Sequence, residues 1–487
     1  MKRVAEAGLQ LVRLIDRWHW LVLMAAAPFL LFPGADLRAL AILVVPGLWL
    51  AAWIARREPV PVTPLNPALA LLATMLVVSA LVTPDLGFSL GKLAGVILGL
   101  GTYFAVVRIS QSERGWWVCL IMFLAAGSAV AVAGLLVTDW LQKVALLTPV
   151  TAQLSPRILG IPGIEEGLNP NQLAGALTWI VPPFLVLLTA SLIGRTEIAR
   201  RIGRRVTWAL LGALAGTSAL VFSTFVLTQS RSGYLGVAAT GALAPLFFTT
   251  DHRHRRYAGL LVSVGGCATV LFALWALGAL SPLAGQAPGL RAVLSPPLSM
   301  QMRLELWSKG LAIIRDFPFT GIGLNNVRLV VPEIYTPLLT FPGVLVGHVH
   351  NEYLQAAVDL GLPGLVAFLA LELGALQMAG RVWRADSAPG MSTPNSHPVH
   401  LRGIVVLGLA GGLLAHMVFG LADATALGAK PGVLFWLLLG LLAGAHAQVA
   451  GLPGPAAPNL LPHDRGQSDV DDGVPNRQPE SLPKAVG

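Results

Sequence analysis

The sequence predicts an all-α polytopic membrane protein with about 12 transmembrane helices and a large outer loop carrying short helices. Three observations predict it. Of 487 residues, 55% are hydrophobic and only 12% charged, and the mean hydropathy of +0.70 lies outside the balance of a soluble globular chain. Apolar runs of roughly 17 to 25 residues recur along the chain, each long enough to cross about 30 Å of hydrocarbon as a helix. They lack the alternation that a membrane barrel requires. Finally, 22 of the 33 lysines and arginines fall in the segments that become cytoplasmic if the N-terminus is inside, as the positive-inside rule demands.

Each element follows in order. Residues 1–17, MKRVAEAGLQLVRLIDR, interleave charged and apolar side chains and read as a cytoplasmic amphipathic segment, with no cleavable signal. Residues 18–280 are expected to hold transmembrane helices 1 to 9, near 16–33, 37–55, 66–83, 90–108, 115–138, 170–194, 206–228, 233–250 and 257–280. Residues 281–361 are expected to form the large outer loop that carries the chemistry. Helices 10 to 12 are placed within 362–450, near 362–381, 403–422 and 431–450, and residues 451–487 read as a disordered cytoplasmic tail. Cys119 and Cys267 lie in apolar runs, far apart, and are expected to pack without forming a disulfide or a thiolate metal site. The net charge of +9 is spread over short linkers beside spans, so topology and anionic headgroups explain it better than nucleic acid does.

Two outer segments are too long to be turns, one near residues 139–169 and the other near 281–360. In the second, Ser295 and Pro296 suit a helix start and Phe317-Pro318 a helix stop, which predicts a helix over Leu298 to Asp316. Arg303 and Trp307 share one of its faces.

Arg231, in TQSRSGYL, sits where two apolar spans meet. Arginine at membrane depth needs compensation, either by snorkelling to headgroups or by a partner anion such as phosphate, whose oxygens suit the guanidinium fork. In GLNPNQLAGAL, Asn169 is an N-cap candidate ahead of Pro170, so a spanning helix starts there with its amides facing outward. Asn169 and Asn171 are then either ordinary capping residues or part of a positive outer pocket beside Arg231.

The stretch GHVHNEYLQAAVDLGLPG, Gly347 to Gly364, gathers polar groups just before a span. A short helix from Asn351 would put Glu352, Gln355 and Asp359 on one face, and Gly361 with Pro363-Gly364 would end it at the interface. His350 then stands at its N-terminal end, where the helix dipole favours a neutral imidazole able to take a proton. A metal reading competes, because His348 and His350 in extended chain point to one side, but no third ligand follows at recognisable spacing. Asp423, in GLADATALGAK, and intramembrane Glu372 are further candidates, Asp423 slightly ahead. Lys92 is either a snorkelling anchor, the favoured reading, or an extra phosphate contact.

With TQSRSGYL, QMRLELWSKGLAIIRDFPFTGIGLNN, HNEYLQAAVDLGLPGLVAFL and NPNQLAGAL in view, the chain resembles the bacterial O-antigen ligase and Wzy-type polysaccharide polymerase superfamily over roughly residues 80 to 445. The resemblance implies a GT-C-like fold in the bacterial inner membrane, both termini cytoplasmic and the active site periplasmic. It implies a glycosyltransferase that takes an undecaprenyl-diphosphate-linked glycan as donor, with no metal and no other cofactor. By matching motif, Arg231 and Arg303 would bind the donor diphosphate and His350 would be the catalytic base. Asn169, Asn171, Asn351, Asp423 and Lys92 are expected in support.

Ligation of O-antigen to lipid A core stands ahead of polymerisation of lipid-linked repeats. A phosphorylated acceptor would favour a basic loop, at which Lys309, Arg315 and Arg328 hint, although Glu305, Asp316 and Glu333 blunt the hint. A bicarbonate-carrier-like transporter is the reading from another class, but it predicts polar groups at mid-membrane, whereas here they cluster at span ends.

Overall fold

The computed structural model describes residues 2–31, 37–140, 147–154, 168–248, 298–336, 338–339, 346–386 and 398–451. These residues form helices and connecting turns, with no strand among them. The span expected near 257–280 and the tail beyond residue 451 lie outside the described residues, as does Cys267. Six described helices are long and apolar enough to cross a membrane: Leu86–Ile109, Glu113–Val137, Arg204–Leu227, Glu352–Asp386, Leu401–Phe419 and Lys430–Ala450. The number becomes eight if two bent pairs, Gly8–Arg17 with His19–Leu31 and Pro170–Thr178 with Val181–Ile193, each count as one span. Two further expected spans, Leu40–Arg56 and Asn66–Val82, are shorter apolar helices.

Local chemistry explains where the helices begin. Asp85 accepts from the Phe88 amide at 3.2 Å ahead of Leu86–Ile109, and Ser112 accepts from the Gly115 amide at 3.0 Å ahead of Glu113–Val137. Asn169 likewise caps Pro170–Thr178, accepting from the Asn171 amide at 2.8 Å. Small residues then let helices approach. A Cβ on Gly99 would fall 2.0 Å from Nε1 of Trp436, so Leu86–Ile109 meets Val433–Ala450 only because position 99 has no side chain. Trp116, Phe123, Trp179, Phe368, Phe435 and Trp436 fill the shared core, and Cys119 is buried and free beside them.

Ionic groups mark one end of the bundle. Buried Asp16 pairs with Arg56 and, at 2.8 Å, with Arg108, while Asp386 takes Arg402 at 3.1 Å. Lys92 stands 16 residues before Arg108 on the same helix, which at 1.5 Å per residue puts it about 24 Å away, toward the other end.

The loop helix is described from Leu298 and ends at Asp316, as Phe317-Pro318 predict, while its expected start signals, Ser295 and Pro296, lie outside the described residues. It is followed by a turn that docks on the next long helix: the Ile322 amide donates to the Val358 carbonyl at 2.9 Å, and the Leu362 amide to the Pro318 carbonyl at 2.7 Å. Close approach requires Gly361, whose φ is +70° and where a Cβ would lie 2.5 Å from the Phe319 carbonyl carbon. The short helix expected to end at Gly361 does so: Glu352–Asp386 is two helices that meet at a break at Gly361, whose φ of +70° and ψ of 178° are non-helical. Pro363 falls in the first turn after that break, where an amide would have no helical partner, so it starts the second segment as readily as it would end the first.

Candidate active site

His350 adopts a left-handed backbone, φ +50°, which a residue with a Cβ takes only when its surroundings enforce it. Three contacts do so. The Val349 amide donates to Gln355 Oε1 at 2.7 Å, the His350 amide to His348 Nδ1 at 3.2 Å, and the Asn351 side chain caps the following helix by accepting from the amides of Tyr353 and Leu354 at 3.1 and 3.0 Å. The turn brings the two imidazoles together, with ring centroids 4.1 Å apart.

The loop between helices Pro398–Phe419 and Val433–Ala450 supplies the partner. Asp423 Oδ1 lies 3.2 Å from His350 Nδ1 and 3.9 Å from His348 Nδ1. Its placement is set by four points of attachment to the helix that follows His350. The Glu352 amide donates to the Gly420 carbonyl at 2.7 Å, Asn351 Nδ2 to the Leu421 carbonyl at 3.0 Å, and the buried Glu352 carboxylate accepts from the amides of Thr425 at 2.6 Å and Ala426 at 3.0 Å. A carboxylate met by several amides is a strong, directional anchor.

Arg303, on the loop helix, closes the third side: its Nε donates to the Ala422 carbonyl at 3.0 Å, one residue before Asp423. No carboxylate among the described residues lies within 4 Å of this guanidinium, whose other bond, at 3.3 Å, goes to the Ser299 carbonyl. The structure therefore brings together His350, Asp423, Asn351 and Arg303 from three separated stretches of chain.

Electrostatics favour an ionised Asp423. Burial alone would raise its carboxyl, but the hydrogen bond from His350, with His348 and the Arg303 guanidinium close by, outweighs that and holds it below the ordinary range. Burial and the neighbouring His350 push His348 down to about 3, only partly opposed by Asp423, so His348 is neutral at physiological pH. With Asp423 an acceptor, His350 Nδ1 carries the proton and Nε2 keeps its lone pair, the tautomer a general base needs.

The other expected residues are placed differently. Arg231 opens helix Arg231–Phe248 and is exposed, with no contact to His350, Arg303 or Asp423. It does stand at their end of the bundle. Gly236 abuts Ala415 and Gly411 abuts Thr240, so the helix runs antiparallel to Pro398–Phe419 and Arg231 falls level with Gly420. Asn169 and Asn171 serve the helix cap already described. Lys92 does not snorkel: only 19% of its side chain is exposed and its Nζ lies 3.4 Å from Asp359 Oδ2, because a buried carboxylate offers a stronger partner than a distant headgroup. Glu372 is buried on the Glu352–Asp386 helix, outside this cluster. Lys309 is also turned inward, onto Thr336, and Arg315 is exposed beside Asp316.

Sequence reasoning saw no third ligand for a His348/His350 metal site, because Asp423 is 73 residues away from His350. In space the three donors lie within 4.8 Å of one another, a set that could hold a divalent ion. The same Asp423 oxygen serves the hydrogen bond to His350, so ion and hydrogen bond are alternatives. It also missed Glu352 as the anchor of the Asp423 loop, for which the only signal was a carboxylate directly after His350-Asn351. No curated protein matches the chain. The family model described as O-antigen ligase matches residues 216–369, a stretch that holds Arg231, Arg303 and His350, and through it the chain carries a domain of the O-antigen ligase-like superfamily.

Proposed function

We propose that this membrane protein transfers a glycan from an undecaprenyl-diphosphate donor to an acceptor hydroxyl on the periplasmic side, with ligation of O-antigen to lipid A core as its reaction. The observation that carries the reading is the His350 Nδ1 to Asp423 Oδ1 contact of 3.2 Å beside an arginine that no carboxylate among the described residues neutralises. His350 Nε2 takes the proton of the acceptor hydroxyl, and the hydroxyl oxygen forms a bond to the anomeric carbon. The bond from that carbon to the diphosphate oxygen breaks, and undecaprenyl diphosphate leaves with the electron pair. Asp423 holds the imidazole in the right tautomer and stabilises the imidazolium that forms.

Arg303 meets the charge that develops on the leaving diphosphate, and Arg231, at the same end of the bundle, binds the donor before the step. Attack opposite the leaving group inverts the anomeric centre. The diphosphate is a good leaving group, so the mechanism calls for no metal ion and no general acid. Asn351 keeps His350 at the helix start.

The surface glycan profile tests this, read by gel in cells lacking the protein and complemented with wild type or His350→Ala. Loss of all core-attached polymer with accumulation of long lipid-linked chains is the ligase result. Survival of a single core-attached repeat would make it a polymerase, and an unchanged profile in the deletion strain would point to transport.

A further inference from the structure

A cavity of about 590 Å³ has His348 in its wall. Its volume lies in the range of pockets that hold small ligands. Lys92, Arg328 and Lys430 line it together with Glu352, Asp359 and Phe88; Arg231, Arg303 and His350 do not.

The two acids are already engaged. Glu352 accepts amides of residues 425 to 427, and Asp359 Oδ1 accepts from Gln355 Nε2 at 2.7 Å while its Oδ2 faces Lys92. Arg328 is different. Its guanidinium lies over the Phe88 ring, 5.3 Å from the centroid, and one terminal nitrogen donates to Asn325 Oδ1 at 3.2 Å. Its Nε is buried without a hydrogen-bond partner, and no carboxylate among the described residues pairs with it. A guanidinium has five N–H donors, of which the described residues take one, so its terminal N–H groups in the cavity wall can bind a ligand there. Asn325 itself adopts a left-handed backbone, φ +67°, while donating to the Phe88 carbonyl at 2.8 Å, so the support of Arg328 is held in place from two sides.

Arg328 also touches the turn that bears the histidines: a Cβ on Gly347 would lie 2.8 Å from its terminal nitrogen. Glycine at 347 thus lets a cation sit one residue from His348.

We infer that this cavity seats an oxyanion, phosphate or carboxylate, carried by the acceptor near its reacting hydroxyl, and that Arg328 selects for it. The inference rests on the proposed transfer reaction and deepens it. In this reading Arg303, beside Asp423, holds the donor diphosphate, and the cavity lined by Arg328 and His348 holds the acceptor two residues from the base. Aromatic support from Phe88 fixes the plane of the guanidinium for bidentate contact.

The test measures transfer from labelled undecaprenyl-diphosphate glycan by purified protein to three forms of a core acceptor lipid: native, dephosphorylated, and carboxyl-reduced. Wild type is expected to prefer the native form over one of the others by about tenfold or more in kcat/KM, the range of a hydrogen-bonded charge pair, and which form fails identifies the oxyanion. Arg328→Gln should collapse that preference with donor KM unchanged, and Arg328→Lys should restore part of it.

Equal loss on all three acceptors, or a raised donor KM, would overturn the inference by assigning Arg328 to the scaffold or to the donor. Transfer to none of the acceptors by wild type would instead refute the reaction on which it rests. A second measurement separates the two: inorganic phosphate should raise the melting temperature of wild type and not of Arg328→Gln, whose own melting curve reports whether it folds. An equal shift in both proteins would dismiss the cavity as an anion site.

Discussion

At the scale of single residues, the account turns on His350 and the acid that fixes it. General-base catalysis contributes about 10²- to 10⁴-fold, so His350→Ala should lower the transfer rate by that factor with little change in donor KM. Asp423→Asn preserves size but offers an amide where the imidazole N–H needs an acceptor, and should cost at least about tenfold in kcat. A chelator should leave activity unchanged, while added zinc should inhibit by capturing His348, His350 and Asp423, whose donors lie within 4.8 Å of one another. Loss of activity on chelation, restored by metal, would replace the base mechanism.

The pH dependence has a definite sign. His348 is held down to about 3 and Asp423 below its ordinary range, so the folded site binds fewer protons than the unfolded chain. Stability from both groups is complete above about pH 6.5 and falls on acidification, first through His348 and then through Asp423. Melting temperatures between pH 7 and 4 should therefore drop less for His348→Gln than for wild type, and an equal or steeper drop would contradict this.

At the scale of elements, the site is a loop stitched onto a helix. The 420–429 loop is held by Glu352 and Asn351, and the loop helix is held by the turn that meets Gly361. Gly361→Val should lower stability by about 1–3 kcal/mol or more, read as a fall in melting temperature, because it forces a β-branched residue to φ +70° against the Phe319 backbone. Glu352→Gln, which puts an NH2 against donor amides, should lower kcat and stability together by loosening Asp423.

Much of this was legible in sequence. The end of Leu298–Asp316 follows from Phe317-Pro318, and the capping of Pro170–Thr178 from Asn169-Pro170, because these are local signals. The Glu352, Gln355, Asp359 face follows from helical spacing, and the structure places all three along one cavity. The pairing of His350 with Asp423 was not legible, since it depends on two helices returning to one end of the bundle. Lys92 misled for a related reason: a lysine near a span end looks like an anchor until its partner, Asp359, arrives from 267 residues away.

At the scale of the whole molecule, polar chemistry is divided between two ends. One end carries the Asp16, Arg56 and Arg108 cluster and the Asp386 to Arg402 pair, and the other carries His350, Asp423, Arg303 and the Arg328 cavity. The account predicts that these ends face opposite sides of the inner membrane. With Cys119 and Cys267 replaced by Ser, a cysteine at exposed Asp316 should react with an impermeant thiol reagent in intact spheroplasts, and one at exposed Arg200 only after lysis. The reverse pattern would invert the topology and place the proposed site in the cytoplasm.

The most direct measurement is single-turnover transfer from a purified undecaprenyl-diphosphate glycan to core acceptor lipid, comparing wild type, His350→Ala and Asp423→Asn. The account predicts an inverted linkage formed by wild type, a rate lower by about 10²-fold or more in His350→Ala, and a smaller loss in Asp423→Asn. Transfer at the wild-type rate by His350→Ala would contradict it.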